Sequence, residues 1–580
     1  MVVGLCSFSQ NLFLHFECSN PIDSLEFLDH PKGEVVRDSN EAGRRVSEII
    51  FLLFEKNFLS ANCDSLLLDN EGNYHATICV GKRMVLRGII DSSLAQISGQ
   101  VFASKKHLWL ESPVQVANLC RKILQYQENH GFPFSKILLK PFSLSADTVI
   151  INLVLEAGPY TVFDTIEQVS DGYLSPTFLQ SYLGIKPGQP YSEELFKEVS
   201  NKLNLLSFVS QAKVPQCIFY RNLARVRVFI QTRKSSQFTG FLGVIPSNAI
   251  TQKFLLTGDV KLTIPNMFAS GALFDFYWRR FQILSSELKA TIAYPYILGS
   301  SLGVDNYFSI FRQDSTFQEL SNNFGLNYLL PGLNKIRFFY SLKRNTVTFS
   351  DNQIAQVKTS GLLPLINDYK SHQYGLQFVF EKLDNKLVPT SGFLSDVQAS
   401  LGLRSLLPDA ELNTLRFTNP LGQSYGLYDS INFNQLQGNV RFRLDYYLPT
   451  GTSSVFNMSL QGGSLVSPRI FRNEMFRFGG LNSLRGFDEL SFYATSFSTL
   501  KIEYRYLLDR TTFFQLFCNA AGYQQKGVNN SIIVPVGTGA GISLLTPAGV
   551  FSVVYAIGKM PQIPIQLNSS KIHFGISNSF

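Results

Sequence analysis

Apolar and polar residues alternate one by one through much of the C-terminal half of the chain. Between residues 500 and 506, Leu500, Ile502, Tyr504 and Tyr506 fall on one face and Lys501, Glu503 and Arg505 on the other. Val440, Phe442, Leu444 and Tyr446 oppose Arg441, Arg443 and Asp445 in the same way. Phe456, Met458 and Leu460 oppose Asn457, Ser459 and Gln461, and near the end Ile572, Phe574 and Ile576 oppose His573, Gly575 and Ser577. A period of two predicts strands with one apolar and one polar face. A soluble sandwich and a transmembrane barrel both produce it. Composition separates them, because a water-facing sheet carries more Lys and Glu. Charged residues here are only 16% and aromatics 13%, with 50 Phe and 24 Tyr against 2 Trp. The pattern predicts an all-β antiparallel transmembrane β-barrel.

Before about residue 237 the period changes, and a longer repeat appears. Three times a helical pattern runs into an aromatic residue, then two strands, then a new strand opening the next unit. The first helix is expected over residues 40–56, leading to Asn57-Phe58 and strands over 65–68 and 74–80. The second starts at Ser112-Pro113, a hydroxyl N-cap followed by proline at the first helical position. It reaches His130-Gly131-Phe132, with strands over 136–140 and 148–156. In the third, Ser175-Pro176 opens a short helix, Ser192-Glu193-Glu194 caps a longer one, and Phe208 precedes strands near 213–217 and 224–231. Phe58, Phe132 and Phe208 thus recur at spacings of 74 and 76 residues. Each copy reads as a β-α-α-β-β unit, so the expected organisation is three α+β modules at 11–90, 91–159 and 160–235, then a barrel at 237–580. At about ten residues per strand plus turns, that barrel accommodates about 16 strands. Small sheets of this kind leave edge strands open to an extended peptide.

One segment stands out from the alternation: Phe478-Gly479-Gly480-Leu481-Asn482-Ser483-Leu484-Arg485-Gly486-Phe487, a glycine-rich loop carrying one arginine. Taken alone it reads as a surface hairpin. It resembles the [VL]-R-G-[YF] loop signature of the BamA/TamA superfamily (outer-membrane protein 85 type) of outer-membrane assembly proteins. In that family the loop folds into the barrel lumen and acidic groups on nearby strands hold its arginine. The resemblance implies that Leu484, Arg485, Gly486 and Phe487 form the lumen-loop motif and that Glu503 is the anchoring acid. Where family members carry a second acid in an F-x-D-x-G strand, this chain has Phe517-Cys518-Asn519-Ala520-Ala521. Asn519 is then the second anchor, an amide in place of a carboxylate. Leu387-Val388-Pro389-Thr390-Ser391-Gly392-Phe393 resembles the family's mid-barrel turn. Thr546-Pro547-Ala548-Gly549, after the small-residue strand Gly537-Thr538-Gly539-Ala540-Gly541, resembles its late turn, and Phe580 its terminal aromatic. The α+β units resemble POTRA domains, so the likeness covers nearly the whole chain.

The resemblance implies an outer-membrane protein assembly, insertion or translocation factor that performs no covalent chemistry. Its POTRA units would engage unfolded outer-membrane or secreted protein clients. Outer-membrane lipid is the surrounding partner and a TamB-like inner-membrane protein a candidate one. Clients would enter at the seam between first and last strands. There the first strand, over residues 238–245, carries Gly240 and Gly243 before Pro246, and the last ends at Phe580. Ordinary closure with incidental glycines is the competing reading of that seam. Two-partner secretion transporters share the R-G-[YF] loop but normally carry two POTRA units and a plugging helix. BamA proteins usually carry five, so three favour the TamA-like group, and a dedicated secretion pore is the alternative. No G-x-S-x-G, H-E-x-x-H or P-loop is present, so no catalytic residue is expected. A barrel enzyme using His573 and a serine is the remote alternative.

The remaining composition narrows the field further. No run of about 18 apolar residues occurs, so no transmembrane helix is expected; the apolar stretch 49–54 is flanked by Glu48 and Glu55. A net charge of +8 over 580 residues, with no basic arm, predicts no nucleic-acid partner. Seven cysteines without C-x-x-C and seven dispersed histidines predict neither a metal site nor a cofactor. Cys63 and Cys79 flank a turn at Asn70-Glu71-Gly72-Asn73 and are expected as free thiols nearly opposite each other. Met1-Val2-Val3-Gly4-Leu5-Cys6 is apolar but lacks a basic start, and reads as the tail of a signal peptide ending near Ser9-Gln10. The expected location is the bacterial outer membrane, with the N-terminal domains in the periplasm.

Overall fold

The computed structural model describes the chain apart from residues 1–11, 19–32, 71, 91–111, 146–147, 171–173, 234, 247–253, 283–284, 314–315, 331–333, 386–387, 420, 482, 510–511, 527–528, 547–548, 562–569 and 578–580. The signal-peptide segment and Phe580 lie outside the described residues. The chain divides into two compact units. One comprises Met1–Thr165, Lys186–Glu198 and Cys217–Val226, the other Ile166–Ile185, Val199–Gln216 and Arg227–Phe580.

Three small sheets precede the barrel. The first orders β1 (Leu12–Cys18), β2 (Gly33–Val36), β3 (Asn62–Leu68) and β4 (Tyr74–Cys79) as β2-β1-β4-β3, with β1 parallel to β4. The second orders β5 (Val85–Ile90), β6 (Lys136–Leu144) and β7 (Thr148–Glu156) as β5-β7-β6, with β5 parallel to β7. The third repeats that order with β8 (Val162–Ser170), β9 (Val209–Tyr220) and β10 (Leu223–Thr232) as β8-β10-β9. In each, the opening strand passes beside the closing strand of the hairpin. β5 falls inside the 11–90 range assigned to the first module, yet its ladder belongs to the second sheet. β5 is thus the strand that opens the second unit, and the module boundary lies before it rather than at residue 90.

Helices cover these sheets through apolar stripes. Helix α1 (Ser39–Glu55) is capped by Asp38, whose carboxylate accepts from the Glu41 amide, and buries Ala42, Val46, Ile49 and Leu53. Helix α2 (Pro113–Asn129) is capped by Ser112 and buries Val116, Leu119 and Ile123 against Leu86 and Leu153. Both end alike. Asn57 (φ 74°) and Gly131 (φ 94°) take the left-handed conformation, and the next amides, of Phe58 and Phe132, donate back to Leu53 and Gln127. That cap fixes the positions of Phe58 and Phe132; no left-handed residue precedes Phe208. Asn62 pairs with Cys79 and Cys63 with Ile78, so the two thiols sit one step out of register and are free.

The C-terminal part is one antiparallel meander. It begins with β11 (Gln237–Pro246), β12 (Phe254–Met267), β13 (Ala272–Gln282), β14 (Ser285–Tyr294), β15 (Leu302–Gln313) and β16 (Phe317–Leu329). It continues through β17 (Lys335–Val347), β18 (Asp368–Leu383) and β19 (Gly392–Leu407). A loop hairpin, β20 (Arg416–Thr418) with β21 (Ser424–Gly426), precedes β22 (Asn434–Pro449) and β23 (Ser454–Val466). A second, β24 (Phe476–Phe478) with β25 (Phe492–Ala494), precedes β26 (Ser496–Leu507) and β27 (Phe513–Gln525). The last strands are β28 (Asn529–Ile533), β29 (Val536–Thr546), β30 (Gly549–Lys559) and β31 (Lys571–Ser577). Among the described residues the sheet holds 17 strands. β27 also pairs with β29, so the five-residue β28 is an extension of their connection, and the wall itself follows the expected count.

Burial along this wall is inverted relative to a soluble sheet. On β18, Ser371 and Gln373 are buried while Tyr374, Leu376, Phe378 and Phe380 are exposed. On β22, Gln437 and Asp445 are buried while Leu436, Val440, Tyr446 and Leu448 are exposed. Polar groups inside and apolar rings outside suit a strand with lipid on one side and a polar lumen on the other. Short turns lie at the end where β11 begins, and the long connections at the opposite end. There helices α3 (Asp351–Ser360) and α4 (Ala410–Thr414) bring Val357 and Leu412 into a small core with Leu406, Leu427, Tyr428 and Phe471.

Within the second unit, the third module's short helix rests on two of the short turns. This helix, Pro176–Leu183, is capped by Ser175 and directs Phe178 and Tyr182 at Tyr296, with ring centroids 5.9 and 6.5 Å apart. The Ser175 amide donates to Ala269 O, and Ser181 Oγ to Gly299 O. Gly271 (φ +72°) lies under the Phe178 ring, where a Cβ would come within 2.2 Å of it. This packing ties residues 176–183 to the barrel turns within the second unit.

Residues 1–235 expressed alone should be soluble, with mixed helix and sheet by circular dichroism. Leu153→Ala in that fragment should cost about 2–5 kcal/mol, read from the urea midpoint, because the side chain is 1% exposed in a packed core.

Candidate functional site

The connection between β23 and β26 runs from residue 467 to 495 and turns inward. Its root is held by the mid-barrel strands. Glu474 accepts from the Phe471 amide (3.1 Å) and from Gln437 on β22 (2.7 Å), and lies 3.5 Å from the buried Arg404 guanidinium of β19. Arg404 also donates to Gln435 and to the Arg469 carbonyl. Asn473 donates to Asn345 on β17 (2.7 Å) and to Asn367 O (2.8 Å). The Arg477 guanidinium covers the rings of Phe311 and Phe317, 4.8 and 4.6 Å from their centroids, on β15 and β16.

The tip is held by the C-terminal strands. Phe478, Leu484, Phe492 and Ala494 form a core with Ala521 and Tyr523 of β27. The Gly479 amide donates to Ser483 Oγ, whose hydroxyl returns to Gly479 O, closing the turn. Arg485 Nη2 then reaches Glu503 Oε1 at 2.5 Å, its Nε donates to Leu481 O, and its guanidinium lies 4.4 Å from the Phe517 ring centroid. The other oxygen of Glu503 accepts from Arg505 Nε (3.1 Å) and Nη2 (2.8 Å), and from Asn457 Nδ2 (3.2 Å). Arg505 in turn stacks on Tyr447 and Phe513. One carboxylate, 3% exposed, therefore serves two guanidinium groups.

Close approach of the backbone completes the seat. A Cβ at Gly537 of β29 would stand 1.9 Å from Arg485 O, and one at Gly558 of β30 2.5 Å from Gly486 O. The small-residue strand is thus a floor for the loop. The Gly486 amide donates to His573 Nε2 on β31 at 3.1 Å.

The structure brings Leu484, Arg485, Gly486, Phe487 and Glu503 together. Asn519 is fully buried on the lumen face, but neither its amide oxygen nor its nitrogen has a hydrogen-bond partner among the described residues. The anchor opposite Glu503 is instead Phe517, two residues earlier on the same face, through its ring. Gly240 and Gly243 pair with Val260 and Thr257 of β12. Among the described residues β11 and β31 are the two ends of the sheet and share no paired register. Sequence reasoning missed Arg505, Asn457 and the Arg404–Glu474 root. Arg505 shares the alternation class of Glu503, and Asn457 stands opposite Glu503 across the β23–β26 ladder. Arg404 and Glu474 carried no such signal. Among the described residues no group of His, Cys, Asp and Glu is arranged to hold a metal ion.

Residues 266–580, more than half of the chain, match the model of the Omp85 superfamily domain. The chain belongs to the Omp85 superfamily. Its fold is similar to that of CdiB from Escherichia coli, with a TM-score of 0.50 at 14% identity, covering 85% of this chain and 89% of that one. BamA from Haemophilus ducreyi lacking POTRA domains 1–3 aligns with a TM-score of 0.45 at 13% identity, covering 85% and 98%. No curated protein matches the sequence. In this Omp85 chain the lumen loop is therefore tied to both sides of the wall by side chains that lie far apart in sequence.

Glu503→Gln should destabilise the folded barrel more than Arg485→Ala. The first change leaves two buried guanidinium groups without their carboxylate, a loss of about 3–5 kcal/mol. The second leaves Glu503 paired with Arg505. Thermal unfolding in detergent micelles reads the difference, and equal losses would contradict the shared-carboxylate arrangement.

Proposed function

We propose that this Omp85-superfamily chain is an outer-membrane factor that assembles, inserts or translocates polypeptides, without covalent chemistry. The observation that carries the reading is the lumen loop pinned to both walls through Glu474 and Glu503. A lumen crossed by such a loop does not offer a free channel to a passing chain, which leaves the wall as the route. In lipid, a strand needs partners for its backbone groups, and a seam at the sheet's two ends supplies them. Among the described residues β3, β6 and β9 stand at the edges of the N-terminal sheets, suited to holding unfolded clients by strand addition. Three such modules favour the TamA-like branch, with a TamB-like inner-membrane protein as candidate partner and outer-membrane lipid around the wall. The modules lie on the periplasmic side in this reading.

The second reading is a dedicated secretion pore of the two-partner type, favoured by the same R-G-F loop. In that case the loop must leave the lumen for cargo to pass.

Depletion of the protein, followed by quantitative comparison of the outer-membrane proteome, separates the two. Loss of many barrels is the expected result; loss of one secreted protein alone would favour the pore. Arg485→Ala should lower assembly activity several-fold more than it lowers barrel abundance. Cysteine pairs placed across residues 238–245 and 571–577 should cross-link, and locking them should halt activity until reductant is added. Full activity of the cross-linked protein would remove the seam as the route.

A further inference from the structure

We infer that the lumen loop is also a latch on the terminal strand, with His573 as the positioning residue that couples loop to seam. Two contacts join the loop to β31, both from its lumen face. The Gly486 amide, inside the R-G-F motif, donates to His573 Nε2 at 3.1 Å. Two residues away on each chain segment, Asp488 Oδ1 meets Lys571 Nζ at 2.8 Å. Lys571 and His573 are two apart on a strand and so project to the same side.

β31 stands at one end of the sheet, with a paired strand on one side among the described residues. Among the described residues it spans Lys571–Ser577, and its ladder is with β30, from Ala556↔Lys571 to Val550↔Ser577. The loop engages it at its first turn of pleat, where β31 emerges from the connection after β30. The two contacts are unequal. Asp488 and Lys571 are largely open to the polar lumen, at 73% and 40% exposure, so their attraction is screened. His573 is half-buried and gives a backbone donor its acceptor, which makes it the principal contact.

The chemistry specifies the state of the ring. Nε2 accepts only as the unprotonated nitrogen of a neutral imidazole that carries its proton on Nδ1. The loop is meanwhile held in reach by Arg485 on Glu503 and by the floor at Gly537 and Gly558. Withdrawal of Arg485 from Glu503 moves Gly486 and Asp488 with it and releases both contacts on β31. The loop's position thereby sets how firmly the terminal strand is held, a coupling between two sites through one shared segment. Its bearing on clients rests on the seam reading above; the latch itself does not.

Hydrogen–deuterium exchange of the full-length protein in lipid nanodiscs tests it. His573→Phe keeps a ring and removes the acceptor, and should raise exchange of the β31 amides about tenfold, the scale of one net hydrogen bond. His573→Gln offers an amide oxygen in its place and should restore protection. Arg485→Ala, which leaves β31 untouched, should produce the same rise. Protection of the β18–β19 ladder reports that the barrel is folded in each variant; if His573→Phe fails that check, Arg485→Ala carries the decision. Unchanged β31 exchange in a folded variant would overturn the latch, whatever the client assays show. Increased β31 exchange with undiminished client assembly would leave the latch standing and count against the seam as client route.

Discussion

A single buried carboxylate organises the C-terminal half of this protein. Glu503 sits in the lumen wall with Arg485 on one oxygen, and Arg505 and Asn457 on the other. Removing a charge from water is costly unless opposite charge and hydrogen bonds surround it. Here the wall supplies Arg505 and Asn457, and the loop must supply the rest. The loop is consequently drawn across the lumen toward that point. Its backbone presses onto strands whose inward positions are glycine, because any side chain there would hold it off.

The second constraint is the solvent on each side of the wall. Lipid outside excludes unpaired backbone groups and rewards apolar rings; the lumen accepts Gln373, Asp445, Asn457 and Glu503 at inward positions. Because strands alternate, one residue decides both environments for its neighbours. The same rule places Arg505 beside Glu503 and leaves Tyr504 and Tyr506 facing outward. The loop root uses a different device, a buried Arg404 and Glu474 brought together by β19 and the turn Arg472–Glu474. With both ends tied, the loop is a strut between the middle and the end of the sheet.

The N-terminal modules obey ordinary aqueous rules. Their helices bury apolar stripes, and their charged pairs lie near the surface. Asp164 bonds Tyr220 and Arg225, and these contacts hold its carboxyl below the usual aspartate range. The third module departs from this independence, since Phe178 and Tyr182 spend their apolar surface on Tyr296 and Gly271 rather than on their own sheet alone. A short helix with two aromatic residues on one face is suited to packing against turns that expose backbone.

Alternation, helix caps and turn residues are local properties, so the sequence by itself determined the barrel class, the helices opened by Ser112-Pro113 and Ser175-Pro176, and the lumen class of Glu503. The resemblance of the R-G-F loop added the expectation that Arg485 and Glu503 meet. What remained belonged to register and to distance along the chain. The assignment of β5 to the second sheet depends on which strand it pairs with, and a strand's own residues do not state that. Asn519 occupies the motif position expected of an anchor, yet the guanidinium settles on the Phe517 ring, because side-chain reach decides between two inward neighbours. The Arg404–Glu474 pair and the contact of Gly486 with His573 join segments that only the folded path of the chain brings together. No period or motif encodes such meetings; the tertiary structure alone decides them.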